Sequence, residues 1–248
     1  MNEIETTGII TSVMPTGDYD KRIVILTKDI GRISAFIKFA RRINSRFIGC
    51  SREFVCAKFK LYRGGSSYSV IDMEVINYFE DIFHDINKTN YGMYFLDIVN
   101  YYTRENNNET QSLKFLYRTF QVLEKGLIPL KLQRAIFELK SLVFMGEYPN
   151  FQAYLDTGNK IEKRQKYLFS IEKNGLVERN GIELNLATLK AMDYIIRAKT
   201  TDVYSFRLDT AYHNEFINII EKYFKKTINY DFKTLNVFDW YDELKNIR

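Results

Sequence analysis

The chain has 248 residues, of which 46% are hydrophobic, 15% aromatic and 27% charged. That length exceeds the usual single domain and that composition supports buried cores, which excludes global disorder and predicts two or three small domains. The net charge of +5 would carry little meaning if it were spread evenly. Between Asp20 and Arg63, however, stand twelve Lys or Arg against three acids, Asp20, Asp29 and Glu53. The rest of the chain is therefore net negative, and basicity confined to one segment is the footprint of a module that binds a polyanion. The two cysteines, Cys50 and Cys56, cannot build a disulfide framework or a Cys-rich zinc site. They read as incidental thiols in a reducing cytoplasm. Residues 1–5 lack the basic and apolar regions of a secretory signal, and no apolar run nears the ~20 residues that cross a bilayer. The expectation is a cytoplasmic protein without a membrane partner.

The first eighty residues carry strand signals. Gly8 to Met14 is followed by a turn cluster, Pro15-Thr16-Gly17-Asp18. A second run holds Ile23-Val24-Ile25-Leu26, and Asp29-Ile30-Gly31 turns the chain again. In the third run Ile33, Ala35 and Ile37 alternate with Arg32, Ser34, Phe36 and Lys38, which places aliphatic residues on one face. Ala57, Phe59 and Leu61 alternate likewise with Lys58, Lys60 and Tyr62, and Gly64-Gly65-Ser66-Ser67 makes a hairpin turn into Tyr68 to Ile76. Five short strands in so few residues suit a small closed barrel, with the five-stranded OB-fold first and an SH3-like barrel as the alternative.

After Asn77 the hydrophobic period becomes helical. Phe79, Ile82, Phe83 and Ile86 lead into Phe95, Ile98, Val99 and Tyr102, and Asn106-Asn107-Asn108 breaks the pattern. Leu113 to Leu123 forms a second helix ended near Gly126, and Pro129 suits the first turn of a third that runs to Gly146. Residues 150–184 interrupt the helices. Tyr167 to Ile171 reads as a strand, and Asn174-Gly175 and Asn180-Gly181 are both hairpin signals, so a small β-meander is expected. Helical spacing returns at Leu186 to Ile196, then at Tyr212 to Tyr223 with Asp209 as N-cap, and a last helix near Leu235, Phe238, Tyr241 and Leu244. The predicted class is α+β: a barrel over 1–78, a helical bundle over 79–149, a β insert over 150–184, and the rest of the bundle over 185–248.

No phosphate-binding loop ending in Gly-Lys-Ser or Gly-Lys-Thr is present. His84 and His213 lack metal-ligand spacing, and no catalytic residue is assigned. The acidic pairs Asp18/Asp20 and Glu80/Asp81 keep a metal-dependent DNA-processing enzyme as an alternative. A second alternative is an adaptor whose basic face recognises acidic peptides. The strongest signal remains the basic cluster. Arg32, Phe36 and Lys38 face outward on the third strand and Lys58, Lys60 and Tyr62 on the fourth, with Arg41, Arg42 and Arg46 in the loop between them. Cations that neutralise phosphates, interleaved with aromatics that stack on bases, are what a single-strand groove requires. Lys21, Arg22, Arg32, Lys38, Arg41, Arg42, Arg46, Lys58, Lys60 and Arg63 are the candidate nucleic-acid contacts. At roughly four to eight phosphates, affinity should fall steeply with salt.

These residues also carry a resemblance. Gly8-Ile9-Ile10, Gly17 to Arg22, Leu26 to Phe36 and Ala40 to Arg46 resemble the RecO family of bacterial recombination mediators. The similarity continues through Tyr78-Phe79-Glu80, Tyr91 to Leu96, Phe137 to Lys140 and Leu189 to Ile195, nearly the whole chain. It implies an N-terminal OB-fold and a helical bundle carrying an inserted zinc module. It implies binding of single- and double-stranded DNA, annealing of complementary strands, and partnership with RecR and with the acidic C-terminal tail of single-strand DNA-binding protein. The indirect beneficiary would be RecA, in DNA repair at the nucleoid, with no bond-making chemistry. By position Lys38, Arg41, Arg42 and Arg46 match the family's basic loop. The zinc module departs from the pattern: where the family carries two Cys pairs this chain has Tyr154 and Thr157, then Glu178 and Gly181. None supplies a thiolate, so no zinc and no other cofactor is expected, with the Asn-Gly turns and the Tyr167-Leu168-Phe169 strand holding the degenerate module.

Overall fold

The computed structural model describes residues 2–65 and 67–235, so Ser66 of the expected hairpin turn and the expected last helix beyond Leu235 lie outside the described residues. Two compact units are present, one of residues 2–127 with 232–235, the other of Ile128–Asp231.

In the first unit, β1 (Glu3–Thr16), β2 (Asp20–Thr27), β3 (Arg32–Ile37), β4 (Cys56–Arg63) and β5 (Tyr68–Asn77) close into a barrel of order β1-β2-β3-β5-β4. All pairs are antiparallel except β3 with β5, which is parallel. That order is the OB-fold arrangement rather than the SH3-like one. The 14-residue β1 serves both neighbours by bending, and a register shift between Ile10 and Ser12 marks the bend. Gly8 sits where it passes β2 closely, since a Cβ there would meet Ile25 Cγ2 and Leu26 O, both at 2.6 Å. The alternation of β3 holds: Ile33, Ala35 and Ile37 are buried in the barrel with Ile10, Ile23, Ile25, Ala57, Phe59 and Leu61. Short α1 (Glu80–Phe83) then leads into α2 (Ile86–Tyr102), whose N-cap Asp85 accepts hydrogen bonds from Asn87 N and Lys88 N. The next helix, α3 (Thr110–Lys125), ends at Gly126 with φ 61°. Thr11 of β1 donates to Asn100 Oδ1 of α2 at 2.8 Å, and Phe54 and Phe79 stack edge-on against Phe120 of α3, which joins barrel to helices.

In the second unit, α4 (Leu130–Met145) packs with α5 (Leu186–Arg197) and α6 (His213–Thr227). Lys140 of α4 is buried, and its ammonium donates to the carbonyls of Ile195, Ile196 and Ala198, three groups the C-terminus of α5 would otherwise leave unpaired. Asp209 does act as an N-cap, accepting from Ala211 N, but of a 3₁₀ turn at Thr210–Tyr212 that runs directly into α6.

The insert contains a three-stranded sheet, β6 (Lys166–Ser170), β7 (Gly175–Val177) and β8 (Ile182–Asn185). Its order is β7-β6-β8, which corrects the expected meander. Asn174-Gly175 ends the turn between β6 and β7, with Asn174 at φ 61°. Asn180-Gly181 does not join neighbouring strands; it carries the chain from β7 across β6 to the opposite edge. A Cβ on Gly181 would come within 3.0 Å of Val177, Leu168 and Phe169, so this glycine serves close passage rather than a hairpin.

Candidate nucleic-acid interface

The barrel brings together only some of the cations that alternation places outside. Tyr19 lies in the β1–β2 turn, and Arg41 N donates to its carbonyl at 2.8 Å while Phe39 N donates to Asp20 Oδ1 at 2.8 Å. Arg41 Nη1 reaches Gly17 O at 3.4 Å. These bonds clamp the start of the β3–β4 loop onto the β1–β2 turn and create a rim. Arg22 lies beside it, paired in register with Met14 on one side and Phe36 on the other, its Nε donating to Ser34 Oγ at 2.7 Å. The rim thus gathers Arg22, Lys38, Arg41 and Arg42, all exposed. Among the described residues none of the four has a carboxylate within salt-bridge distance.

Two aromatics complete the rim. The Arg42 guanidinium lies between the rings of Tyr19 and Phe39, 4.9 Å and 4.2 Å from their centroids. Tyr19 is 49% exposed, Phe39 50%, and the neighbouring Ile43 91%. Phe39 has φ 57°, in the left-handed region that costs an ordinary residue ~1–2 kcal/mol. Phe54 and Phe79 share that conformation at φ 70° and 49°, but both are wholly buried, and burying a phenylalanine returns ~1.5–3 kcal/mol. Phe39 obtains at most part of that offset. Its backbone is held instead by the Asp20 carboxylate.

The remaining predicted cations are engaged elsewhere. Lys21 is half-buried and its ammonium donates to Ser51 O and Oγ at 2.8 and 2.9 Å; burial pushes its pKa down, against the pull of Glu53. Arg32 Nε donates to Thr103 O at 3.2 Å, and burial with the nearby Arg104 charge lowers its pKa. On the β4–β5 face, Lys58 pairs with Glu74 at 3.2 Å, Lys60 with Glu3 at 2.9 Å and Arg46 with Asp72 at 3.3 Å. The hydrogen bond to Glu3 and its charge hold the Lys60 ammonium above its ordinary pKa. A groove on this face is lined by Glu5, Asp29, Asp72 and Glu74 against Lys28, Lys58 and Lys60, so acids slightly outnumber cations there. Arg63 lies 5.9 Å from the Tyr68 ring. Tyr62, half exposed, accepts from Asn2 Nδ2 at 3.3 Å on β4, and Phe36 is half-buried on β3.

Sequence reasoning therefore missed Tyr19 and Phe39 as the rim's aromatics. The sequence pattern pointed the wrong way at Phe39. Alternation from Ile33 through Ile37 would send residue 39 inward, yet the chain reverses there and the ring points outward.

The positions that correspond to zinc ligands in the resembling family do not fit a zinc ion. Tyr154 is buried, Gly181 has no side chain, and Glu178 accepts from Asn159 Nδ2 at 3.2 Å. Asp156 joins the two loops instead. Its carboxylate accepts from Glu178 N at 2.9 Å and Arg179 N at 3.1 Å, and these bonds hold its pKa below the usual value. Among the described residues no group of three or more His, Cys, Asp or Glu is placed to hold a metal, and no helix is long and apolar enough to cross a membrane.

Comparison with known proteins agrees with this architecture over almost the entire chain. Residues 1–79 match the family model described as Recombination protein O N terminal, and residues 83–236 match Recombination protein O C terminal. Among similar curated proteins, the DNA repair protein RecO of Acetivibrio thermocellus is 27% identical over 99% of this chain and 100% of its own length. That of Caldicellulosiruptor bescii is 26% identical over 96% of this chain and 98% of its own. That of Alkaliphilus metalliredigens is 25% identical over 89% and 92%. With both halves matched and the barrel in place, the chain belongs to the RecO family.

Proposed function

We propose that the protein is a recombination mediator in DNA repair, which binds DNA, anneals complementary single strands and, with RecR, helps load recombinase onto DNA coated by single-strand-binding protein. The observation that carries this reading is the rim of four exposed cations that, among the described residues, have no carboxylate within salt-bridge distance. Two DNA strands repel each other through their phosphates. A surface that neutralises phosphates on one strand lowers the cost of bringing in the second, and no bond need be made or broken. In this reading RecR and the acidic tail of single-strand-binding protein dock on the helical part, RecA benefits indirectly, and the work is done in the cytoplasm at the nucleoid. The insert stands without zinc, its loops held by Asp156.

The test is a salt series of binding to a labelled single strand, paired with an annealing assay on coated strands with and without RecR. Four phosphate contacts predict a log–log slope near −3, since each contributes about −0.7 on single strands. If all ten candidate cations met phosphates the slope would approach −7. A slope near zero, or annealing no faster than the uncatalysed reaction, would count against the proposal.

A further inference from the structure

The rim carries more than charge. Phosphate binding requires only cations, and it gives no reason for two half-exposed rings to flank a guanidinium, nor for Phe39 to hold a left-handed backbone that turns its ring to solvent. Buried Phe54 and Phe79 show what that conformation normally achieves in this chain, the placement of a ring in the core. At Phe39 the same device serves the surface. Three features keep it there: the Asp20 carboxylate on its N–H, the Arg42 N–H on its carbonyl at 3.1 Å, and the Arg42 guanidinium against its ring.

Building on the proposed DNA binding, we propose that Phe39, backed by Arg42 and Tyr19, is a stacking platform for an unpaired nucleobase, so that this rim takes single-stranded DNA in preference to duplex. The chemistry that selects is the free face of a base. In a duplex both faces of each internal base are covered by neighbours and only edges are offered in the grooves. In a single strand a base swings out and covers an exposed ring, while the flanking phosphates meet Arg41, Lys38 and Arg22. Exposed Ile43 in the same loop adds apolar surface that a base would cover. Arg42 acts twice, since a guanidinium packed over an aromatic ring still has N–H groups to offer a phosphate.

The experiment compares three labelled probes of equal length at fixed salt: a mixed-sequence single strand, a strand with the same phosphates but abasic sites in place of its bases, and a duplex. Wild type should bind the base-bearing strand at least about fivefold more tightly than the abasic one, the span expected from stacking one base. Phe39→Gly, which suits the left-handed backbone, should lower affinity for the base-bearing strand several-fold more than affinity for the abasic one, and so shrink that preference. Phe39→Tyr, which keeps the ring, should retain it. The proposal is overturned if wild type binds both single strands equally, or if Phe39→Gly lowers both equally. Either result would leave phosphate binding standing. Failure of wild type to bind any probe would remove both the stacking platform and the DNA-binding reading beneath it.

Discussion

Two faces of one barrel carry similar numbers of cations and present opposite electrostatics. On the β4–β5 face Lys58, Lys60 and Arg46 each meet a carboxylate, from Glu74, Glu3 and Asp72. On the rim built from the β1–β2 turn and the β3–β4 loop, Lys38 is exposed, and Arg22, Arg41 and Arg42 meet a hydroxyl, a carbonyl and aromatic faces, none of which cancels a charge. Exposed pairs of the first kind add little to stability, ~0–1 kcal/mol each, so their main consequence is neutrality. The lesson is that a count of basic residues overstates the charge available to a polyanion. What attracts phosphate is the cation that the fold has left without an acid.

The most severe break of this comparison is Arg41→Ala with Arg42→Ala. Each removes a charge-assisted contact of ~1.5 kcal/mol, so single-strand affinity should fall on the order of 100-fold, and the salt slope should flatten by about 1.4. Lys58→Ala with Lys60→Ala removes as many positive charges and should cost less than about threefold. Fluorescence anisotropy across a salt series reads both. Equal losses in the two double variants would mean that the carboxylate partners do not matter and that DNA covers both faces.

Much of this was legible before any coordinates. Period-two alternation over Ile33–Ile37 and Ala57–Leu61 marked the barrel interior because one buried face forces that pattern. Gly126 marked the end of α3, and Asp209 marked the start of the 3₁₀ turn that leads into α6, through caps that favour those residue types. The basic segment could be seen, but not its division into paired and free cations, because Glu3 and Lys60 are far apart in sequence and adjacent only across the β1–β4 ladder. Lys21 looked like any surface lysine; only the fold of the 47–51 segment places Ser51 against it. Asn180-Gly181 carried a true glycine signal that was assigned the wrong cause, since a turn and a tight strand crossing both require a residue without Cβ.

Alkaline pH separates the integrity of the barrel from the charge of its rim. Cys56 opens β4 and is buried, and burial pushes its thiol up to about 12 from an ordinary 9. Above pH 9 the unfolded chain releases this proton while the folded barrel keeps it, so stability is fully present below pH 9. It is lost progressively toward pH 12, at up to ~1.4 kcal/mol per pH unit. Three of the rim's four cations are arginines, and a guanidinium is not deprotonated in proteins. Urea melts at pH 8 and pH 10 should therefore show a destabilisation that Cys56→Ala reduces, while DNA affinity of the still-folded fraction changes little. A stability independent of pH from 8 to 10 would contradict the burial of this thiol.

The smallest and most discriminating effect comes from freeing the paired lysines rather than deleting them. Glu3→Gln with Glu74→Gln keeps side-chain size and removes the carboxylates that pair with the Lys60 and Lys58 ammoniums, while Glu5 and Asp72 still act on Lys60. If DNA is held at the rim alone, the two released charges act only through solvent, where ~10 Å of 0.1 M salt screens them. Affinity should then change less than about twofold at any salt in the series, with the slope of log affinity against log salt essentially unchanged. If instead the strand runs on from the rim across β4, each released lysine gains a phosphate and the slope steepens by about 0.7 per contact. A steepened slope would extend the interface to the face described here as neutral. An unchanged slope confines it to the rim and shows that something other than Glu3 and Glu74 keeps a basic-looking strand out of the nucleic-acid path.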